Sequence, residues 1–149
     1  MKTLFTQLTF ILSFFLSTQV LAVDPTFTAI FSSEAIRGYD PVAYFTEDKA
    51  VEGSDEFTFE YNQATWLFSS QQNLDLFKAD PTKYAPQYGG YCAYAVSQGS
   101  TASIKPELFT IIDGKLYLNY SDSINKKWRA NKDNFIVDAD RNWPQILNE

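Results

Sequence analysis

Asp113-Gly114, set between the runs Phe109 to Ile112 and Lys115 to Asn119, constrains this chain most. A two-residue turn of this type needs positive φ at both positions, which Asp-Gly tolerates, and it returns the chain as a type I′ β-hairpin. A second hairpin is expected further up the chain. Glu56 to Tyr61 alternates, with Phe57, Phe59 and Tyr61 on one face and Thr58 and Glu60 on the other; Thr65 to Ser69 follows after Asn62-Gln63. Helical signals separate and follow the hairpins. Ser69 with Gln72 fits a capping box, Leu74 and Phe77 share a face, and Asp80-Pro81 ends the pattern. One further helix starts near Ser121 and pairs Ile124 with Trp128. Another starts near Asp133, aligns Phe135, Ala139 and Trp143, and stops at Pro144. Hairpins plus separated helices predict an α+β fold, a small mainly antiparallel sheet built from two β-hairpins with helices packed against it. No internal repeat or low-complexity linker is apparent, so residues 23–149 read as a single domain.

The core must be built without a cross-link, because the chain has one cysteine, Cys92. Aromatic residues make up 17% of it, enough ring surface to stabilise a domain of this size by burial. There is no histidine. That removes the usual catalytic triads, most zinc sites and the usual side-chain switch near neutral pH.

The N-terminus predicts export. Lys2 precedes the apolar stretch Leu4 to Leu16, and Val20-Leu21-Ala22 supplies small residues for cleavage after Ala22. Residues 1–22 are therefore expected to be a signal peptide and the remainder periplasmic or secreted, with no stable membrane insertion after cleavage. The net charge is −6, which disfavours nucleic acid as a partner. Lys126-Lys127 with Arg129 is too small a basic cluster to reverse that and reads as a solvated helix face.

Three ordered segments carry a family resemblance: GYDPVAYF (Gly38 to Phe45), WLFSS (Trp66 to Ser70) and FKADPTKYAPQYGGYCAY (Phe77 to Tyr94). Together they resemble a YHS domain, and more narrowly the stand-alone exported YHS-domain proteins of bacteria. The runs Asp113 to Ser121 and Asn142 to Pro144 extend the likeness to nearly all of the chain after the leader. The resemblance implies a metal-binding module, since YHS domains accompany copper-transporting ATPases and multicomponent monooxygenases. It also implies cysteines at three places, which here are Ala43, Ser69 and Asn73. A chain with one thiol, no imidazole and Met1 as its only thioether is poorly equipped for a soft metal on its own.

Cys92 remains the candidate ligand or shared metal ligand, in the tyrosine-dense run Tyr84 to Tyr94. Gly89-Gly90 is expected to turn the chain into a helix beside the sulfur, and Arg37 is the candidate cation. Tyr39, Asp40, Tyr91 and Tyr94 complete the expected ligand-binding set. Their phenols suit either the wall of a small pocket or a core with bonded hydroxyls, while Asp40 before Pro41 also suits a turn. Asp138 with Asp140, and Glu56 with Glu60, read as solvated surface rather than cation or acid–base pairs. Three functions stay open: a module for a small ligand or a metal-related partner, a structural or protein-interaction domain with a buried cysteine, and a histidine-independent cysteine enzyme. The residues name no cofactor and no reaction.

Overall fold

The computed structural model describes residues 22–148. The expected signal segment lies outside the described residues, apart from Ala22. No helix among the described residues is long and apolar enough to cross a membrane.

Both predicted hairpins form. Strand β1 (Ser54–Tyr61) pairs antiparallel with β2 (Ala64–Phe68), and β3 (Lys105–Ile112) pairs with β4 (Lys115–Asn119). Asn62 and Gln63 carry φ of 50° and 65°, and Asp113 and Gly114 carry 50° and 73°, so each turn has the two positive φ values of type I′. The fold is α+β, and its hairpins form two separate two-stranded sheets. Packed around them are α1 (Ala43–Thr46), α2 (Gln71–Ala79), α3 (Pro81–Tyr84), α4 (Ala93–Ser97), α5 (Asp122–Ala130) and α6 (Lys132–Ile146).

Two helix boundaries differ from expectation. The cap of α2 is Ser70, whose hydroxyl accepts from the Asn73 amide, because the Ser69 hydroxyl is already committed to Asp40. Helix α6 runs through Pro144 to Ile146. Proline withdraws one amide from the ladder, but so near the C-terminus the Leu147 amide still reaches the Trp143 carbonyl at 3.1 Å and closes the last turn. The cap of α5 is Ser121, as its sequence position predicts.

The expectation of no repeat is overturned. Every element from β1 to α2 recurs 51 residues later: Ser54–Tyr61 as Lys105–Ile112, Ala64–Phe68 as Lys115–Asn119, and Gln71–Ala79 as Asp122–Ala130. The register of each hairpin also slips at the same place, between Ser54 and Thr58 and between Lys105 and Phe109. Upstream, Ile36, Arg37 and Gly38 have φ of 49°, 55° and 83°, and Tyr88, Gly89 and Gly90 have 55°, 60° and 84°. Each left-handed turn leads into a short helix, α1 or α4. The Asp40 amide then bonds the Val51 carbonyl, and the Cys92 amide bonds that of Ala102. The chain is thus two copies of one supersecondary unit, and Cys92 stands where Asp40 stands in the first. Sequence hides this because the facing core residues are conserved in size and apolarity only loosely: Phe77 corresponds to Trp128, and Trp66 to Tyr117.

The units share their interior. Ile104, Leu116 and Leu118 lie in one buried cluster with Ile36, Tyr44, Trp66, Phe68 and Phe77. A second cluster joins Tyr88 and Val96 to Tyr117, Trp128 and Ala139. Full burial of one such side chain contributes about 1.5–3 kcal/mol, so this core supplies what a disulfide would in a smaller domain.

Candidate functional site

Asp40 is fully buried. Its Oδ1 accepts from the amides of Val42 and Ala43 at 2.8 and 3.3 Å. Its Oδ2 accepts from the Ser69 amide, the Ser69 hydroxyl and the Asn73 Nδ2 at 2.8, 2.7 and 2.7 Å. The turn before Pro41 aims the carboxylate at the start of α1, and the end of β2 with the first turn of α2 closes over it. Ala43, Ser69 and Asn73 are the positions where the resemblance implied metal thiolates, and all three converge on this carboxylate. The residues do not fit a metal. A carboxylate offers about four lone-pair sites, and these are taken up by five donors. Asn73 also turns its NH₂ group, not its oxygen, toward the centre. The place is a closed anion–donor knot, and its role is to tie α1, β2 and α2 together.

Cys92 occupies the corresponding place in the second unit. It is 1% exposed, and its thiol donates to Asn119 Oδ1 at 3.5 Å. The same oxygen accepts from the Tyr94 amide at 3.2 Å. Arg37 donates through Nε to the Ile104 carbonyl at 3.0 Å and lies over the Phe27 ring, so its guanidinium serves packing at the lead-in segment. Among the described residues, no three His, Cys, Asp or Glu side chains gather as a metal site. Cys92 is expected to resist a maleimide reagent in the folded protein and to react once urea unfolds it. Labelling of native protein at the unfolded rate would show that the sulfur is open.

The three tyrosines of the expected set go to different places. Tyr39 donates weakly to Glu52 and Glu107 at 3.4 and 3.3 Å, and its phenol pKa is raised by burial and by those two carboxylates. Tyr91 packs on Phe27 and on Trp143, with ring centroids 5.3 and 5.8 Å apart. Tyr94 accepts a hydrogen bond from Lys127 Nζ at 2.6 Å, and its ring packs on Phe135. None of Tyr39, Asp40, Tyr91, Cys92 and Tyr94 lines any of the three best-formed clefts among the described residues.

The best-formed cleft among the described residues, about 510 Å³, lies beside them. One wall is the tip of the first hairpin, Tyr61, Asn62 and Trp66; another is the segment from Ala85 to Gly89, with Pro25 and Thr26 of the lead-in at its edge. The last turns of α6 supply Asp140, Trp143 and Pro144. Its position follows from the repeated unit. The second unit has a smaller cleft of about 220 Å³, lined by Lys115 together with Ile112, Asp113, Tyr117, Asp133 and Ile136. The last five stand 51 positions after Tyr61, Asn62, Trp66, Thr82 and Ala85. A concavity between the hairpin turn and the second helix is therefore built into the unit. In the first copy, residues 86–89 and the end of α6 deepen it into a groove of ligand size.

Tyr88 and Asp140 set its polarity. The Tyr88 hydroxyl donates to Asp140 Oδ1 at 2.8 Å, and the phenol pKa is raised strongly by burial and by this bond to a carboxylate. Trp143 packs its ring edge toward Tyr88 at 6.2 Å. The Trp66 indole donates to the Tyr61 carbonyl at 2.8 Å, holding the hairpin tip against the floor. Sequence reasoning placed Tyr88 in the right tyrosine cluster but chose its neighbours. It read Trp143 as core and Asp140 as solvated surface, and both hold, since Trp143 packs half-buried on the second cluster and Asp140 is exposed; what it missed is that both line the groove. The available signal was their spacing, since Asp140 and Trp143 are three apart on one helix and so share a face.

A family model for the YHS domain matches residues 42–88, which run from α1 to the left-handed turn at Tyr88. No curated protein and no solved structure matches the chain. The matched segment spans the first structural unit from α1 onward and one wall of the groove, and the corresponding elements of the second unit lie beyond it. Through residues 42–88, the chain carries a YHS domain.

Proposed function

We propose that this protein is an exported small-ligand-binding module whose site is the groove between the first hairpin tip and the end of α6. One observation carries the reading: a ligand-sized concavity in which the half-buried rings of Tyr61 and Trp143 are backed by the buried Trp66 and Tyr88. Rings with one free face supply apolar contact at little entropic cost, and the few polar groups between them orient what binds. The N-terminal leader pattern supports export, which puts the groove in the periplasm or outside the cell. Neither metal sharing nor nucleophilic chemistry draws support from Cys92, whose sulfur is enclosed and bonded to Asn119.

The test is a fragment screen followed by amide NMR. Bound fragments are expected to shift residues 61–66, 86–89 and 140–147 together, and Trp143→Ala is expected to weaken them at least tenfold. Shifts confined to other surfaces, or binding indifferent to Trp143→Ala, would overturn the reading.

A further inference from the structure

The groove has a definite charge and hydrogen-bond character. Among the described residues, Asp140 is the only charged one that lines it. This carboxylate has no salt-bridge partner among the described residues; the neighbouring Arg141 is paired instead with Asp138 at 2.7 Å. Tyr88 engages Oδ1, and among the described residues nothing donates to Oδ2.

Four of the side-chain hydrogen-bond donors of the lining are spent, and none of those left is charged. Thr26 donates to the Asn62 carbonyl, Trp66 to the Tyr61 carbonyl, Thr82 to Asp80 and Tyr88 to Asp140. Pro25, Pro86 and Pro144 have no amide hydrogen to give. Among the described residues, the neutral side chains of Tyr61, Asn62, Gln87 and Trp143 remain as possible donors. An anionic ligand entering here would face a carboxylate with no cation to offset it.

A ligand that brings both positive charge and N–H donors meets the opposite situation. Its charge faces a free carboxylate oxygen, and its apolar part lies against the partly exposed rings of Tyr61 and Trp143, whose faces attract cations. The wider field has the same sign. Asp24 stands next to the lining residue Pro25, and its charge, after burial, helps raise the pKa of Tyr91, the ring that packs on Trp143. The net charge of −6 draws cations toward the whole surface.

We propose that the groove takes an organic cation, an amine carried on an apolar body, with Asp140 as counter-charge and the half-buried Trp143 and Tyr61 as its aromatic wall. The inference rests on the binding-module reading and deepens it by naming the ligand class.

Three probes of similar size separate the two: benzylammonium, benzyl alcohol and benzoate, titrated against the intact protein with amide shifts of residues 61–66, 86–89 and 140–147 as readout. Benzylammonium is expected to bind about fivefold tighter than benzyl alcohol, the modest advantage of a partly solvated charge pair, with benzoate weakest. Asp140→Asn is expected to erase that preference, bringing benzylammonium down to the affinity of benzyl alcohol. Added salt should erode it in the wild-type protein alone. Equal or tighter binding of benzyl alcohol or benzoate at the groove, lost in Trp143→Ala, would overturn the cation inference and leave the binding site standing. A preference that survives Asp140→Asn would also overturn it. Failure of all three probes to shift groove residues would remove both.

Discussion

Replacing Asp40 with alanine is expected to destabilise the protein by about 4 kcal/mol or more, lowering Tm by roughly 15 °C. The loss is large because five donors converge on this one buried side chain. Each buried donor left without a partner costs about 1–3 kcal/mol, and the alanine leaves a void that part of the loop must collapse to fill. The Asn73 amide group and the Ser69 hydroxyl suffer most, since both are directed at Oδ2. Asp40→Asn is expected to recover only part of the loss, because its NH₂ group must face one set of donors. Tyr39→Phe, one residue earlier, removes only two long and exposed hydrogen bonds and should cost under about 0.5 kcal/mol. Urea unfolding of the three variants measures this. An Asp40→Ala protein within 1 kcal/mol of wild type would show that the knot does not hold the elements together.

Gly89→Ala is expected to cost about 3 kcal/mol and to remove the groove with it. Gly89 has φ of +60°, and an added Cβ would sit 2.1 Å from the Pro25 carbonyl oxygen and 3.3 Å from Thr26 Cα. Both neighbours are backbone, so neither can swing aside as a long side chain would. The lead-in segment must move, breaking the 2.8 Å bond from the Phe27 amide to the Gly89 carbonyl. Pro25, Thr26 and Gly89 all line the groove, so fragment binding should fall together with stability. Gly114→Ala separates the two costs. Gly114 also has positive φ, +73°, but its Cβ would meet nothing within 4 Å. It should therefore lose only the conformational cost, about 1–2 kcal/mol, with binding unchanged. Equal effects at the two positions would mean that the approach of Pro25 to Gly89 is not tight in solution.

Part of this was legible in the chain. Asp113-Gly114 and Asn62-Gln63 announce their hairpins because the turn geometry is decided by the two residues themselves. Ser121 announces α5 because a cap needs only the next three residues. Ser69 misled, since a capping pattern cannot reveal that a distant carboxylate has claimed the hydroxyl; Asp40 lies 29 residues away. The groove was illegible for the same reason. Tyr88 and Asp140 are 52 residues apart, and each alone has an ordinary explanation as core or as surface.

Local sequence thus determined the hairpins, most of the helices, the aromatic core and a recognisable first unit, all of them set by neighbours within a turn or a pleat. Tertiary structure alone decided three things. It showed that the same unit occurs twice, that Asp40 closes the place where thiolates were implied, and that the ligand-sized groove lies beside Tyr88 while Cys92 is sealed within the second unit. Each depends on side chains brought together from elements far apart in the chain, where burial and hydrogen-bond satisfaction decide the arrangement.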